Sequence, residues 1–184
     1  VESLITNLNQ IRSEVKSRQI QNLTNGELRN LVRKCYQQIK DNLGIKPQEV
    51  SGQEIDKAYE ERFGKGHLLL WDKKYWACTA EEYEKIARWL WQDRKQYVRD
   101  QFDCDNYAGA WKVFIYEVFG ITAVGLSLGM VYDKNSDKPL GGHAYNHNYT
   151  IDKGVLLFEA ETDKTSDNDT IGNWRYETSR SYWW

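Results

Sequence analysis

The apolar residues of this chain change their period at Gly120, and that switch constrains the fold more than any other feature. Before it, apolar positions recur every three or four residues, the spacing of one helix face. After it, Val124, Leu126, Leu128, Met130 and Tyr132 alternate with Gly125, Ser127, Gly129 and Val131, which is strand behaviour. Helices first and tightly turned strands second make an α+β chain with an antiparallel sheet.

The helix ends are written in the sequence. Thr24 with Glu27, Ser51 with Glu54 and Thr79 with Glu82 have the capping-box spacing, in which each side chain bonds the other's backbone N–H. Gly44, Gly64 and Gly120 stop the apolar stripes. The stripe Leu28, Leu31, Val32, Cys35, Ile39, Leu43 places Cys35 in a core. Ile55, Ala58 and Tyr59 follow the second box, and Tyr83, Ile86, Ala87 and Leu90 the third, with Cys78 packed just ahead of it. A narrower stripe, Leu4, Leu8, Ile11 and Val15, reads as a lid or packing helix. The fourth clear helix spans 103–119, with Cys104, Ala108, Trp111, Ile115 and Val118 on one face. Past the switch, 134–139 is a turn, 142–151 and 155–160 form a hairpin, 161–173 is an acidic loop and the aromatic tail is a last strand. The expected organisation is a helical region over 1–80 (lid, docking or packing helices) and a second domain over 81–184.

Composition removes several function classes. The formal net charge of -2 gives no electrostatic case for nucleic-acid binding. No apolar run approaches the ~20 residues of a membrane span, so no membrane partner is expected. No signal-peptide pattern is visible, and the chain begins at Val1 rather than Met, so localisation stays open. Three cysteines without a CxxC pair exclude a disulfide framework and a structural zinc site. Eight Trp and twelve Tyr supply a core and the lining of a groove for a polymer.

Cys104 stands apart from the other two cysteines, because it lies between Asp103 and Asp105 at a helix start. With Asp103 as N-cap, Cys104 meets the positive end of the helix dipole, which stabilises a thiolate. Its backbone N–H is also free to serve as an oxyanion donor. The two aspartates oppose this, since like charge raises a thiol's pKa unless the carboxylates turn away or a cation neutralises them.

A thiol nucleophile needs a base. His67 sits beside the apolar run of GKGHLLLW and reads as structural. His143 follows two glycines in LGGHAYN, which allows close backbone approach. His147 lies four residues on, so an HxxxH metal pair is the minor alternative. Glu159 lies on the returning strand; with Ile151 facing Val155, His143 and Glu159 share a face, offset along the strands. Read alone, Glu159 is an ordinary strand-end carboxylate.

At FDCDNYA, GGHAYN and LLFEAET the chain resembles the C-terminal, papain-like cysteine peptidase domain of the Marasmius oreades agglutinin, a chimerolectin, and its phage and bacterial relatives. The resemblance covers roughly 85–184. It implies a papain-like fold, with the nucleophile helix packed on the antiparallel sheet. It further implies a calcium-dependent thiol protease acting on a protein or peptide substrate, with Cys104 as nucleophile, His143 as base and then acid, and Glu159 orienting His143. Calcium is implied near the site, with Asp103 and Asp105 as candidate ligands; a plain N-cap is the other reading of Asp103. Glu161, Asp163, Asp167 and Asp169 are further carboxylates whose spacing matches no EF-hand.

The chain departs from the papain pattern at the second oxyanion donor. Gln101 is closer to the cysteine than the pattern expects, and Gln96 is eight residues upstream. No sugar-binding repeats precede the peptidase-like part. Alternatives are a cell-wall amidase of the NlpC/P60 type, a transglutaminase-like acyl transferase, and a catalytically silent phage-type binding module of the same fold. Trp89, Trp91 and Tyr107 are candidates to line a substrate groove. The sequence does not fix the oligomeric state. Iodoacetamide is expected to label Cys104 faster than Cys35 or Cys78; equal, slow labelling of all three would overturn the nucleophile assignment.

Overall fold

The computed structural model describes residues 24–90 and 96–184, so the expected helix carrying Leu4, Leu8, Ile11 and Val15 lies outside it. The chain forms two compact units, Val1–Ile45 and Lys46–Trp184. The first holds helix α1, Asn25–Leu43. Thr24 and Glu27 complete its capping box, and Gly44 closes it at φ 66°, where a side chain would be strained. None of its residues is buried, and Cys35 is half-buried rather than part of a core. Among the described residues of this unit no second element packs on its stripe.

The second unit is α+β. Its elements are β1 Gln48–Ser51, α2 Gly52–Phe63, β2 Leu68–Leu70, β3 Lys74–Ala77, α3 Ala80–Leu90 and α4 Cys104–Phe119, then β4 Val124–Asp133, β5 Pro139–Thr150, β6 Gly154–Glu159, β7 Lys164–Ser166, β8 Thr170–Ile171 and β9 Trp174–Trp183. The main sheet runs β2-β9-β4-β5-β6-β7, with β8 on β9, while β1 and β3 form a separate ribbon. The sheet is antiparallel except where β2 meets β9.

Residues 46–80, expected to be helical, contain three strands and belong to the same unit as the sheet. These strands are three or four residues long, too short to show a period, and β1 holds one apolar residue, Val50. Their partners specify them: Leu68–Leu70 runs beside Ser181–Trp183, more than a hundred residues away. The acidic run 161–173 likewise contains β7 and β8, set by backbone pairing to β6 and β9.

Helices cover both sheet faces of this unit. On one, Trp111 of α4 stacks 4.3 Å from Phe158, and Asn146 Nδ2 donates to the Ala108 carbonyl at 3.1 Å. On the other, Tyr59 of α2 meets His147 edge to face at 5.4 Å, and Arg62 donates to the Val155 carbonyl. Asn146 and Phe158 thus face α4, and their odd-numbered neighbours His147 and Val155 face α2, as the strand period requires.

On β4 the buried residues are Val124, Gly125, Ser127 and Val131, so beyond Val124 it is the set expected to face outward that is buried, while Leu128 is 39% exposed. Aromatic rings from neighbouring strands occupy the space on that face. A Cβ at Gly125 would overlap the Trp183 indole, and one at Gly129 would overlap the Glu177 carbonyl.

A polar cluster sits inside this face. Ser127 Oγ lies 2.9 Å from His147 Nδ1 and 2.7 Å from Ser181 Oγ, and Trp183 Nε1 donates to Ser181 Oγ at 2.9 Å. The Tyr59 hydroxyl lies 3.2 Å from the same His147 nitrogen. Burial, aided by the charge of Arg62, pushes His147 well below its ordinary 6.5, so the folded protein holds it neutral. Below pH 6.5 the unfolded chain takes a proton here that the folded one refuses, and stability falls as pH falls. This group should cost up to about 1.4 kcal/mol for each pH unit below that point. In urea unfolding from pH 7 to 5, His147→Gln is expected to lose that part of the slope; identical slopes would refute the assignment.

Candidate functional site

The loop before α4 sets the cysteine. Val98 and Phe102 bond each other's backbone, N–H to O at 2.9 and 2.7 Å, and Asp100 turns the chain at φ 59°. Asp103 then stands extended at the N-cap, and its N–H donates to Asn106 Oδ1 at 3.2 Å. Cys104 is the first residue of α4, so its N–H has no partner within the helix.

Cys104 Sγ, a ring nitrogen of His143 and an oxygen of Glu161 all lie within 4.8 Å of one another. His143 Nε2 is 2.7 Å from Glu159 Oε2, which leaves Nδ1 as the nitrogen for the thiol. The three residues picked out in the sequence thus stand in line: thiol, imidazole, carboxylate. The hairpin register is two residues from the expected one, because Tyr149 rather than Ile151 faces Val155. An even slip keeps each side chain on its face, so His143 and Glu159 still share one. They meet diagonally across β5 and β6.

Glu159 is 1% exposed. Its Oε2 accepts from the Tyr176 hydroxyl at 2.9 Å as well as from His143, and its Oε1 accepts the Glu161 N–H at 3.2 Å. A buried carboxylate demands such donors. Burial works against a charge on His143, yet hydrogen bonds to Cys104 and Glu159, with the charge of each, outweigh it and raise the imidazole to about 10. Trp174 presents to the His143 ring at 5.7 Å and 82°.

Tyr176 and Trp174 were not singled out in the sequence. Their signal was the alternation Trp174, Tyr176, Thr178 in the tail, but only the insertion of β9 beside β4 brings that strand near Glu159.

Asp103 and Asp105 do not turn away from each other. A hydrogen bond between their carboxyls lowers Asp103 and raises Asp105, so the two titrate as a pair beside Cys104. One oxygen of each lies within 4.8 Å of the thiol and of the other. Asp103 Oδ2 also accepts from the Asp100 N–H, and Asp105 Oδ1 from the Asn106 N–H. Asp169, one of the further carboxylates, is paired with Arg62 at 3.0 Å.

His67 Nδ1 lies 3.2 Å from the Ser179 carbonyl, a structural contact at the β2–β9 edge. His147 lies in the polar core, its Nδ1 on Ser127 and Tyr59. Tyr107 is buried, its ring 4.7 Å from Phe102, so it packs rather than lining a groove. The side chains at 89–91 lie outside the described residues. Gln96 and Gln101 are exposed, and the Gln101 N–H is bonded to the Val98 carbonyl. Cys78 is fully buried, and its thiol is pushed far up by that burial.

No family model matches the sequence, and no curated protein does. Solved structures do. The chain of a PSL1a–E64 complex superposes at TM-score 0.52 with 20% identity, covering 73% of this chain and 51% of that one. The lectin of Polyporus squamosus, solved bound to the human-type influenza-binding epitope Neu5Acα2-6Galβ1-4GlcNAc, gives TM-score 0.52, 21% identity, and coverage of 73% and 49%. This chain therefore shares a fold with part of these lectin chains and spans about half their length. No described helix is long and apolar enough to cross a membrane.

Glu159→Gln should bring the His143 pKa down from about 10 toward its ordinary 6.5, read from the ring protons by NMR. An unchanged titration would show that Glu159 does not hold the charge on His143. Tyr176→Phe, which removes one donor from a buried carboxylate, should cost about 1.5–3 kcal/mol in urea unfolding.

Proposed function

We propose that this chain is a papain-like cysteine peptidase that cleaves peptide bonds through Cys104, His143 and Glu159. The observation that carries the reading is the line from the Cys104 thiol through His143 to Glu159, with His143 Nε2 fixed at 2.7 Å from a buried carboxylate. A structural histidine has no need of a thiol on its second nitrogen at a helix N-terminus. The likeness to a chain solved with E64 supports it, because E64 is an epoxide that alkylates thiolates.

The chemistry follows from the positions. The Cys104 thiolate attacks the amide carbonyl carbon, and the carbonyl electrons move to oxygen, where the Cys104 N–H donates. His143, held charged by Glu159, passes its Nδ1 proton to the leaving nitrogen as the C–N bond breaks. Neutral His143 then takes a proton from water, whose oxygen bonds to the thioester carbon as the C–S bond breaks, releasing the acid product and returning the thiolate beside the charged imidazole. Glu159 keeps the imidazole aimed, and Tyr176 and the Glu161 N–H keep Glu159 aimed.

The residues around Cys104 suit calcium. Asp103 and Asp105 each bring a carboxylate oxygen within 4.8 Å of the other and of the thiol, a crowding of like charge that a hard cation relieves. They would hold the ion, with Glu161 the next carboxylate in reach of the thiol, and the ion would neutralise the charge beside the nucleophile.

Hydrolysis of a denatured protein by the wild type and by Cys104→Ala, each with calcium and with EGTA, tests both proposals. Cleavage is expected only with Cys104 and calcium together, and E64 should add once, at Cys104, by mass spectrometry. Because the leaving amine needs the His143 proton, kcat/KM should fall as pH rises through about 10. A wild type that cleaves nothing and takes no E64 would sink the reading.

A further inference from the structure

The far end of α4 carries a second concave site. Lys112 lies eight residues beyond Cys104, about 12 Å along the helix at 1.5 Å per residue. There Lys112, Val113 and Tyr116 meet Ile121, Thr122, Asp72 and the Trp184 side chain around a cavity of 410 Å³. Gly120 makes the site by ending the helix in a left-handed turn, φ 70°, so that Ile121 and Thr122 fold back beside it. Strand β2 delivers Asp72, since Leu70 runs alongside Trp183 and the Trp71 N–H donates to the Trp183 carbonyl at 3.0 Å.

Two features distinguish this cavity from an ordinary dent. The first is Lys112, a lysine only 5% exposed. Its ammonium donates to the Val124 carbonyl and, at 3.0 Å, to the Trp184 carbonyl, and it lies 4.5 Å from the centre of the Trp184 ring. The buried cation thus clamps Trp184, whose ring would otherwise sample many rotamers. The second is aromatic surface left in water: Trp184 is 46% exposed, Tyr116 54% and Trp71 67%, with Trp71 and Trp184 tilted together at 6.2 Å. Trp184 and Tyr116 line the same pocket and Trp71 meets Trp184, so these rings form one contiguous exposed patch, the kind that marks a ligand site.

The charges narrow the ligand. Asp72 and Lys112 share the cavity. An anion would meet the Asp72 carboxylate and a cation the Lys112 ammonium. A neutral ligand that donates to the one and accepts from the other meets no penalty. It also needs an apolar face for the rings. A pyranose has both, with axial C–H groups for an aromatic ring and hydroxyls around the edge.

We propose that this cavity binds a neutral pyranose, with Trp184 as the stacking platform, Asp72 accepting from hydroxyls and Tyr116 walling the far side. The site is separate from Cys104, and the proposal stands whether or not the chain hydrolyses peptides.

Saturation-transfer NMR on the intact chain, with methyl glycosides of glucose, galactose, mannose and N-acetylglucosamine, tests it. At least one should receive saturation on its C–H face, and Trp184→Ala and Tyr116→Ala should each weaken binding about tenfold or more. Asp72→Asn should weaken it less, and glucuronate and glucosamine should bind more weakly than the neutral parent. Tyr116 is exposed on α4, so its variant keeps the test alive if Trp184→Ala fails to fold. Three outcomes overturn the proposal: no transfer to any neutral glycoside, binding unchanged in Tyr116→Ala, or a charged sugar binding at least as tightly as the neutral one.

Discussion

The Glu159 carboxylate is the junction on which the candidate site depends. It ends β6 in a nearly dry setting, where a carboxylate without donors would cost several kcal/mol. Its donors come from different elements: His143 from β5, Tyr176 from β9, and the backbone of Glu161 just beyond β6. Satisfying one buried group therefore ties three strands of the sheet together. The same bonds fix the imidazole plane and leave its other nitrogen for the thiol. Stability and geometry are one requirement here.

What the sequence revealed follows the range of the interaction behind each feature. Helix ends are local, so three capping boxes and the glycine stops marked α1, α2, α3 and α4 closely. The long strands β4 and β5 were legible because ten or more residues are enough to show a period or an edge. The strands β1, β2, β3, β7 and β8 are two to four residues long, and distant partners decide them, so no local pattern marked them. Burial was harder still. Leu128 is apolar and exposed, while Ser127 and His147 are polar and buried, because hydrogen bonds within the α2 face repay their desolvation.

The site shows the same division. Cys104, His143 and Glu159 were readable because a helix start and a hairpin are local units, and an even register slip leaves faces unchanged. Tyr176 and Lys112 were not. Tyr176 acts through a strand pairing across the sheet, and Lys112 in sequence is one charged residue between Trp111 and Val113 on an otherwise apolar helix. Nothing nearby says that it points inward to two carbonyls and a tryptophan.

Strand β9 lies inside the sheet, between β2 and β4, although among the described strands it comes last in sequence. A ribosome releasing this chain exposes β4, β5 and β6 before the strand that belongs beside them exists. Until it arrives, β4 offers an open edge, Gly125 and Gly129 face an empty groove, and Glu159 lacks the Tyr176 phenol. Contacts so distant in sequence form slowly. The nascent chain therefore carries its thiol before the strand that completes the support for its imidazole.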